Sequence, residues 1–138
     1  VFEQEIGERT PVSLYAKLAG DKFSFLLESA GGSPNLAQYS FLGLDPFLVF
    51  KSKDSQIEIQ QFPGGSIKRV EKSTLQGNPF VTLQQLMKKF APEKIDFLIP
   101  CWGGAVGFLS YDVGRHIEKL PTWAEDDLGL PETFFIFP

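Results

Sequence analysis

Apolar and polar positions along this chain fall into short stretches, each bounded by clear punctuation. Leu14, Tyr15 and Leu18 share one helical face between Thr10, a capping residue, Pro11 at the first helical position, and Gly20 where a stop is expected. Lys22–Ser29 alternates as a strand, with Phe23, Phe25 and Leu27 on one side and Ser24, Leu26 and Glu28 on the other. A loop over Ala30–Asn35 separates it from two further strands, Tyr39–Gly43 and Phe47–Lys53, divided by Asp45-Pro46. Ile57–Phe62 and Ser66–Val70 predict a hairpin around Pro63-Gly64-Gly65, with one solvated face.

The second helix is the better marked of the two. Asn78 caps it, Pro79 opens it, and Phe80, Leu83, Leu86, Met87 and Phe90 form its apolar face; Lys88 and Lys89 sit in the last turn before Pro92. Gly103–Tyr111 starts with turn glycines and is expected to become a buried strand, Ile117–Leu130 reads as an exposed acidic connection, and Thr133–Phe137 as a strongly apolar strand. Helix, several strands, helix, strand, at hairpin spacing, predicts an α+β fold of mostly antiparallel β-sheet layers with a few helices.

Composition sharpens this. With 138 residues there is room for one domain with a real core and hardly two, and 14 phenylalanines require opposing faces to bury them. A net charge of −4 argues against a nucleic-acid footprint or a basic membrane surface. No apolar run approaches the roughly 20 residues of a spanning helix. The single cysteine, Cys101, forms no internal disulfide, which suggests a reducing, cytoplasmic setting. A first residue other than Met and a terminal apolar strand, an aggregation hazard if unpaired, lead us to expect a fragment of a longer protein.

Most candidate chemistry has a structural reading. Gly31-Gly32, Gly64-Gly65 and Gly103-Gly104 lack both the Lys-Ser/Thr of a phosphate loop and the setting of a dinucleotide fingerprint, so they read as turns. Tyr111, Asp112, Arg115 and His116 form the densest polar cluster, but His116 is the only histidine, and a network tying a strand end to the next loop is the favoured role. Cys101 reads as a buried structural thiol. Glu28 and Ser29 differ: a carboxylate closing an apolar strand costs free energy unless a cation or donors meet it. The partner is either a protein cation or backbone amides, or a ligand ammonium with Ser29 adding a hydroxyl among apolar walls, as in an amino-acid pocket.

The stretches TPVSLYAKL (Thr10–Leu18), FLLES (Phe25–Ser29), YSFLG with its following DP (Tyr39–Pro46), NPF with Leu83, GGAVGFLSYDVGRHIEKLP (Gly103–Pro121) and LPETFFIF (Leu130–Phe137) occur in one order. Together the chain resembles the N-terminal region of the large subunit of anthranilate synthase, a chorismate-binding enzyme family, nearly end to end. Where that family commonly has Arg before the YSF element, this chain has Gln38, so no ionic contact carries over there.

The resemblance implies an enzyme of tryptophan biosynthesis that makes anthranilate and pyruvate from chorismate. Its ammonia comes from glutamine through a partner glutamine amidotransferase subunit, component II. It implies Mg²⁺ and all catalytic residues in a C-terminal catalytic domain outside this chain, so that the chain alone is inactive. It also implies a tryptophan feedback-inhibition site to which residues 1–138 contribute Glu28 and Ser29, with Ala30, Tyr39 and Ser40 beside them. The alternatives are the N-terminal region of aminodeoxychorismate synthase component I, in folate biosynthesis, and a non-enzymatic amino-acid-binding or interaction module.

Overall fold

Apolar β-branched and aromatic runs prefer the pleated, half-buried surface of a sheet, and the two most apolar runs of this chain lie side by side in one. The computed structural model describes residues 5–20, 22–29, 38–65, 68–91, 103–123 and 125–138. The chain divides into two compact units, Val1–Asp45 and Pro46–Pro138. Among the described residues no helix is long and apolar enough to cross a membrane.

Unit 1 holds helix α1 (Pro11–Leu18) and an antiparallel pair, β1 (Phe25–Glu28) with β2 (Ser40–Gly43). Helix α1 starts where its capping residues dictate: the Thr10 hydroxyl accepts from the Ser13 N–H and the Ser13 hydroxyl accepts from the Thr10 N–H, closing a reciprocal box. Leu14 and Tyr15 are half-buried while Leu18 is exposed. The Tyr15 hydroxyl meets the Ser24 hydroxyl at 2.9 Å, tying the helix to the approach of β1. That strand is shorter than its alternation predicts, because Phe23 takes a positive φ of 57° and breaks the extended run. Phe25 lies opposite Gly43, and its ring covers the glycine so closely that an added Cβ would sit 2.1 Å from Cε1.

Unit 2 is a five-stranded antiparallel sheet with helix α2 (Pro79–Lys89) on one face. Its strands are β3 (Leu48–Lys53), β4 (Gln56–Gln61), β5 (Glu71–Gln76), β6 (Val106–Leu109) and β7 (Thr133–Phe137), in spatial order β5-β4-β3-β7-β6. Leu48, Phe50, Ile57, Ile59 and Phe137 form the buried core, and Leu83, Leu86 and Phe90 of α2 pack on it with Phe47 and Phe135. The phenylalanine load is used in edge-on contacts, Phe47 to Phe90 at 4.9 Å and to Phe137 at 6.1 Å between ring centroids.

Two expectations change here, the partner of β4 and the burial of the strand after Gly103-Gly104. The turn at Pro63-Gly64-Gly65 is present, but β4 pairs with Glu71–Gln76 and not with Ser66–Val70; Gln61 lies opposite Glu71, so the loop is longer. Strand β5 is exposed throughout, an edge strand whose polar residues carry no apolar period. Val106–Leu109 is the other edge and largely exposed, not buried. Gly107 is required there, since a Cβ would stand 1.8 Å from the Phe134 carbonyl oxygen. Finally, Thr133–Phe137 is paired on both sides, by β3 and β6, so burial inside the sheet accounts for its apolar character. Cys101, Gly31-Gly32 and Pro92 lie outside the described residues.

Helix α2 starts as predicted. Asn78 Oδ1 accepts from the Phe80 N–H at 2.9 Å and the Val81 N–H at 3.3 Å, with Pro79 at the first position. Asn78→Ala is expected to lower the unfolding free energy by about 1 kcal/mol in a urea titration, and Asn78→Asp by much less.

Candidate functional site

In a two-stranded antiparallel pair, residues directly opposite project from the same face. Glu28 lies opposite Ser40 in the β1–β2 register, so the carboxylate and the hydroxyl start from one face at one end of the hairpin. Ser29 follows Glu28 and Tyr39 precedes Ser40, which brings both to the same end. These four line an open cleft of about 460 Å³ together with Ile6, Pro11 and Gln38. Pro11 reaches it because the Thr10–Ser13 box fixes where α1 begins. The Tyr39 ring stacks on Phe41 at 6.2 Å and 23°, which gives the mouth an aromatic edge. Ala30 lies outside the described residues.

The burial expected of Glu28 is absent. Glu28 and Ser29 are exposed and Leu27 beside them is 43% exposed, because a two-stranded ribbon has too little surface to cover its last residues. Water solvates the carboxylate, so burial creates no demand for a cationic partner. Among the described residues no cation or donor pairs with it, and Gln38 is a neutral amide in the same cleft. The cleft therefore offers one free carboxylate, the hydroxyls of Ser29, Ser40 and Tyr39, and the apolar Ile6 and Pro11. That set suits an ammonium group on a molecule with an apolar body. Ile6 and Pro11 were not foreseeable as lining, since only the placement of α1 brings them there.

The second polar cluster lies in unit 2 and ties together three segments distant in sequence. Strands β3 and β4 join through the tight turn Asp54-Ser55, in which Asp54 has a φ of 48°. The Asp54 N–H donates to Glu132 Oε2 at 3.1 Å, and His116 Nε2–H donates to the Asp54 carbonyl at 2.9 Å, since a carbonyl can only accept. Arg115 Nη2 pairs with Asp112 at 2.7 Å and Nη1 lies 3.9 Å from Glu132 Oε1. Tyr111 takes no part, being 84% exposed. The centre of the cluster is Glu132, 8% exposed, whose backbone also bridges Ser52 and Ser110. This is a tie between strand ends and loops, as the composition of the cluster suggests, with Glu132 in place of Tyr111.

Lys53 pairs with Asp126 beyond this cluster, and the Gly129 N–H donates to the same carboxylate. The lysine first, then the amide, holds Asp126 below the ordinary carboxylate range. A lowered folded-state value means the contribution is present above that range and is lost as pH falls through it, below about pH 4. The pair is solvent-exposed, so the effect is expected to be small. In acid titrations of stability Asp126→Asn flattens the low-pH slope slightly, and added salt does the same to the parent.

Three known proteins similar to this chain carry one name. It is 41% identical to anthranilate synthase component 1 of Acetivibrio thermocellus over 128 residues, 93% of the chain and 25% of that protein. It is 36% identical to the Arthrobacter globiformis protein of the same name over 124 residues, 89% of the chain and 22% of that protein. Against the Thermus thermophilus protein, again anthranilate synthase component 1, it is 35% identical over 131 residues, 94% of the chain and 26% of that protein. No family model matches the chain. The chain spans about a quarter of the length of the curated relatives it matches. Identity at this level over about nine-tenths of the residues reflects common descent: the chain belongs to the anthranilate synthase component 1 family and corresponds to its N-terminal region.

Proposed function

We propose that the chain is the N-terminal part of an enzyme of tryptophan biosynthesis that converts chorismate and ammonia to anthranilate and pyruvate, and that its β1–β2 cleft contributes to a tryptophan feedback-inhibition site. The observation that carries the second half is the free carboxylate of Glu28, brought together with Ser29, Tyr39 and Ser40 in one open cleft. Glu28 accepts from the ligand ammonium and the serine hydroxyls complete its hydrogen bonds; Ala30, which follows Ser29 in the sequence, belongs to the proposed site. The apolar body rests towards Ile6, Pro11 and the Tyr39 edge. The rest of the pocket belongs to the longer polypeptide.

The enzyme works in the cytoplasm, and a glutamine amidotransferase subunit, component II, supplies its ammonia. Mg²⁺ belongs to the C-terminal catalytic domain. Among the described residues no three His, Cys, Asp or Glu side chains converge as a metal site, so no step here runs through it. No catalytic residue is assigned within residues 1–138, and the chain alone is inactive. Tryptophan bound across the two parts favours an arrangement with a poorer chorismate site, with a coupling free energy of about 1–3 kcal/mol.

The reading is tested with the full-length protein, chorismate, Mg²⁺ and ammonium. Anthranilate that falls as tryptophan is added is the expected result. Aminodeoxychorismate as the product, or no conversion of chorismate, overturns it.

A further inference from the structure

Helix α1 rests on the hairpin of unit 1 with little apolar surface beneath it. None of its 8 residues is fully buried, Leu14 and Tyr15 are half-buried, and Val12 and Leu18 are exposed. Helices shorter than about 12–15 residues are marginal in water, so the placement of α1 depends on the contacts that reach the hairpin. One of these is polar: the Tyr15 and Ser24 hydroxyls meet at 2.9 Å, partly shielded from solvent, between the helix and the residue that leads into β1.

Both partners stand one step from the β1–β2 cleft. Tyr15 follows Pro11 by four residues, which puts the two on one face of α1. Ser24 precedes Glu28 by four residues at the other end of the strand. The cleft takes Pro11 and, upstream, Ile6 from the helix side, and Glu28, Tyr39 and Ser40 from the hairpin. The hydroxyl pair therefore joins the two walls at a point outside the lining itself. Phe23, immediately before Ser24, keeps a φ of 57°, which a bulky side chain adopts only where its surroundings dictate it. An anchored Ser24 supplies such a constraint.

We infer that the Tyr15–Ser24 hydrogen bond is a positioning tie for the cleft. It holds the helix-side wall, Ile6 and Pro11, at the separation from Glu28 that receives the apolar body of a ligand whose ammonium sits on the carboxylate. Tyr15 and Ser24 do not line the cleft, so they act on affinity through the placement of α1 and not by contact. The inference rests on reading the cleft as a tryptophan site, and it names the contact that sets how tightly that site closes.

Two measurements on the full-length protein test this. One is hydrogen exchange over residues 10–20, which include the Leu14 and Ala19 amides that donate to the Thr10 and Tyr15 carbonyls. The other is tryptophan inhibition of anthranilate formation, each curve normalised to its own uninhibited rate. Tyr15→Phe and Ser24→Ala are each expected to speed the exchange severalfold and to raise the half-inhibiting tryptophan concentration about threefold to tenfold. The double variant goes no further than the larger single one, since one bond is lost only once. Ser24→Thr keeps a hydroxyl and stays near the parent. Asn78→Ala, which weakens the helix cap in unit 2, leaves the inhibition curve in place.

Unchanged exchange in Tyr15→Phe overturns the tie whatever the ligand is. Faster exchange with an unmoved curve, or an equal shift from Asn78→Ala, overturns its role in the site. Glu28→Ala in the same series separates the two readings. A shift there with none from Tyr15→Phe or Ser24→Ala overturns the tie alone. A shift from the tie variants with none from Glu28→Ala overturns the ammonium assignment and leaves the tie standing, and a parent that tryptophan does not inhibit overturns both.

Discussion

Phe50→Ala is expected to lower the unfolding free energy of unit 2 by about 3–5 kcal/mol. Phe50 is fully buried in β3, opposite Ile59 of β4 and Phe135 of β7, and belongs to the core on which Leu83, Leu86 and Phe90 of α2 pack. Its removal forfeits the transfer free energy of a ring and leaves a void that both the sheet and the helix border. A sheet paired on both sides of β3 cannot close that void without breaking register, so relaxation recovers little. Val81→Ala provides the comparison, since Val81 is 52% exposed on the same helix and its loss is expected to cost under about 0.5 kcal/mol. Urea unfolding followed by circular dichroism separates the two. Equal midpoints for both variants would mean the core is not where the structure places it.

Glu132→Ala is expected to cost about 2 kcal/mol, with Glu132→Gln well under half of that. The alanine leaves the Asp54 N–H without an acceptor in a turn that already holds Asp54 at positive φ. Arg115 lies 3.9 Å from Glu132, its side chain is 32% exposed, and it keeps Asp112. Its loss therefore adds less than the breaking of a tight buried pair would. The glutamine retains the acceptor and loses only the long-range charge. If Glu132→Gln is as harmful as Glu132→Ala, charge and not the hydrogen bond to Asp54 governs the cluster. The structure predicts the opposite order.

What could be read from the sequence follows from how local each signal is. Helix α2 was legible because Asn78, Pro79 and the closing lysines act within a single turn of the residues they cap. Strands β3 and β7 were legible because each carries a concentrated apolar run, Phe47–Phe50 leading into β3 and Phe134–Phe137 in β7. Strand β5 was not, since an edge strand with both faces wet needs no apolar period, and Ser66–Val70 offered a stronger but false one. Glu132 was not singled out by the sequence. Its partners, Asp54 and Arg115, are distant in sequence, and no local pattern shows that they meet.

The candidate site was partly legible for the same reason. Glu28 and Ser40 are brought together by hairpin register, which two short strands around a loop already imply. The exposure of Glu28 was hidden by its apolar neighbours, because Phe25-Leu26-Leu27 looks buried in any window that cannot count strands. This changes the physical argument for the site. Solvation already stabilises the carboxylate, so its value to a ligand lies in having no partner among the described residues and not in being strained.

Tryptophan titration of anthranilate formation by the full-length enzyme, parent beside Glu28→Ala, tests the central claim most directly. A hydrogen bond to a charged group is worth about 1.5–3 kcal/mol. The half-inhibiting tryptophan concentration is therefore expected to rise about tenfold or more, with uninhibited activity close to that of the parent. Ser29→Ala moves it in the same direction by less, and Val12→Ala, on the exposed side of α1, leaves it unchanged. An inhibition curve for Glu28→Ala that superimposes on the parent's would contradict the assignment of this cleft.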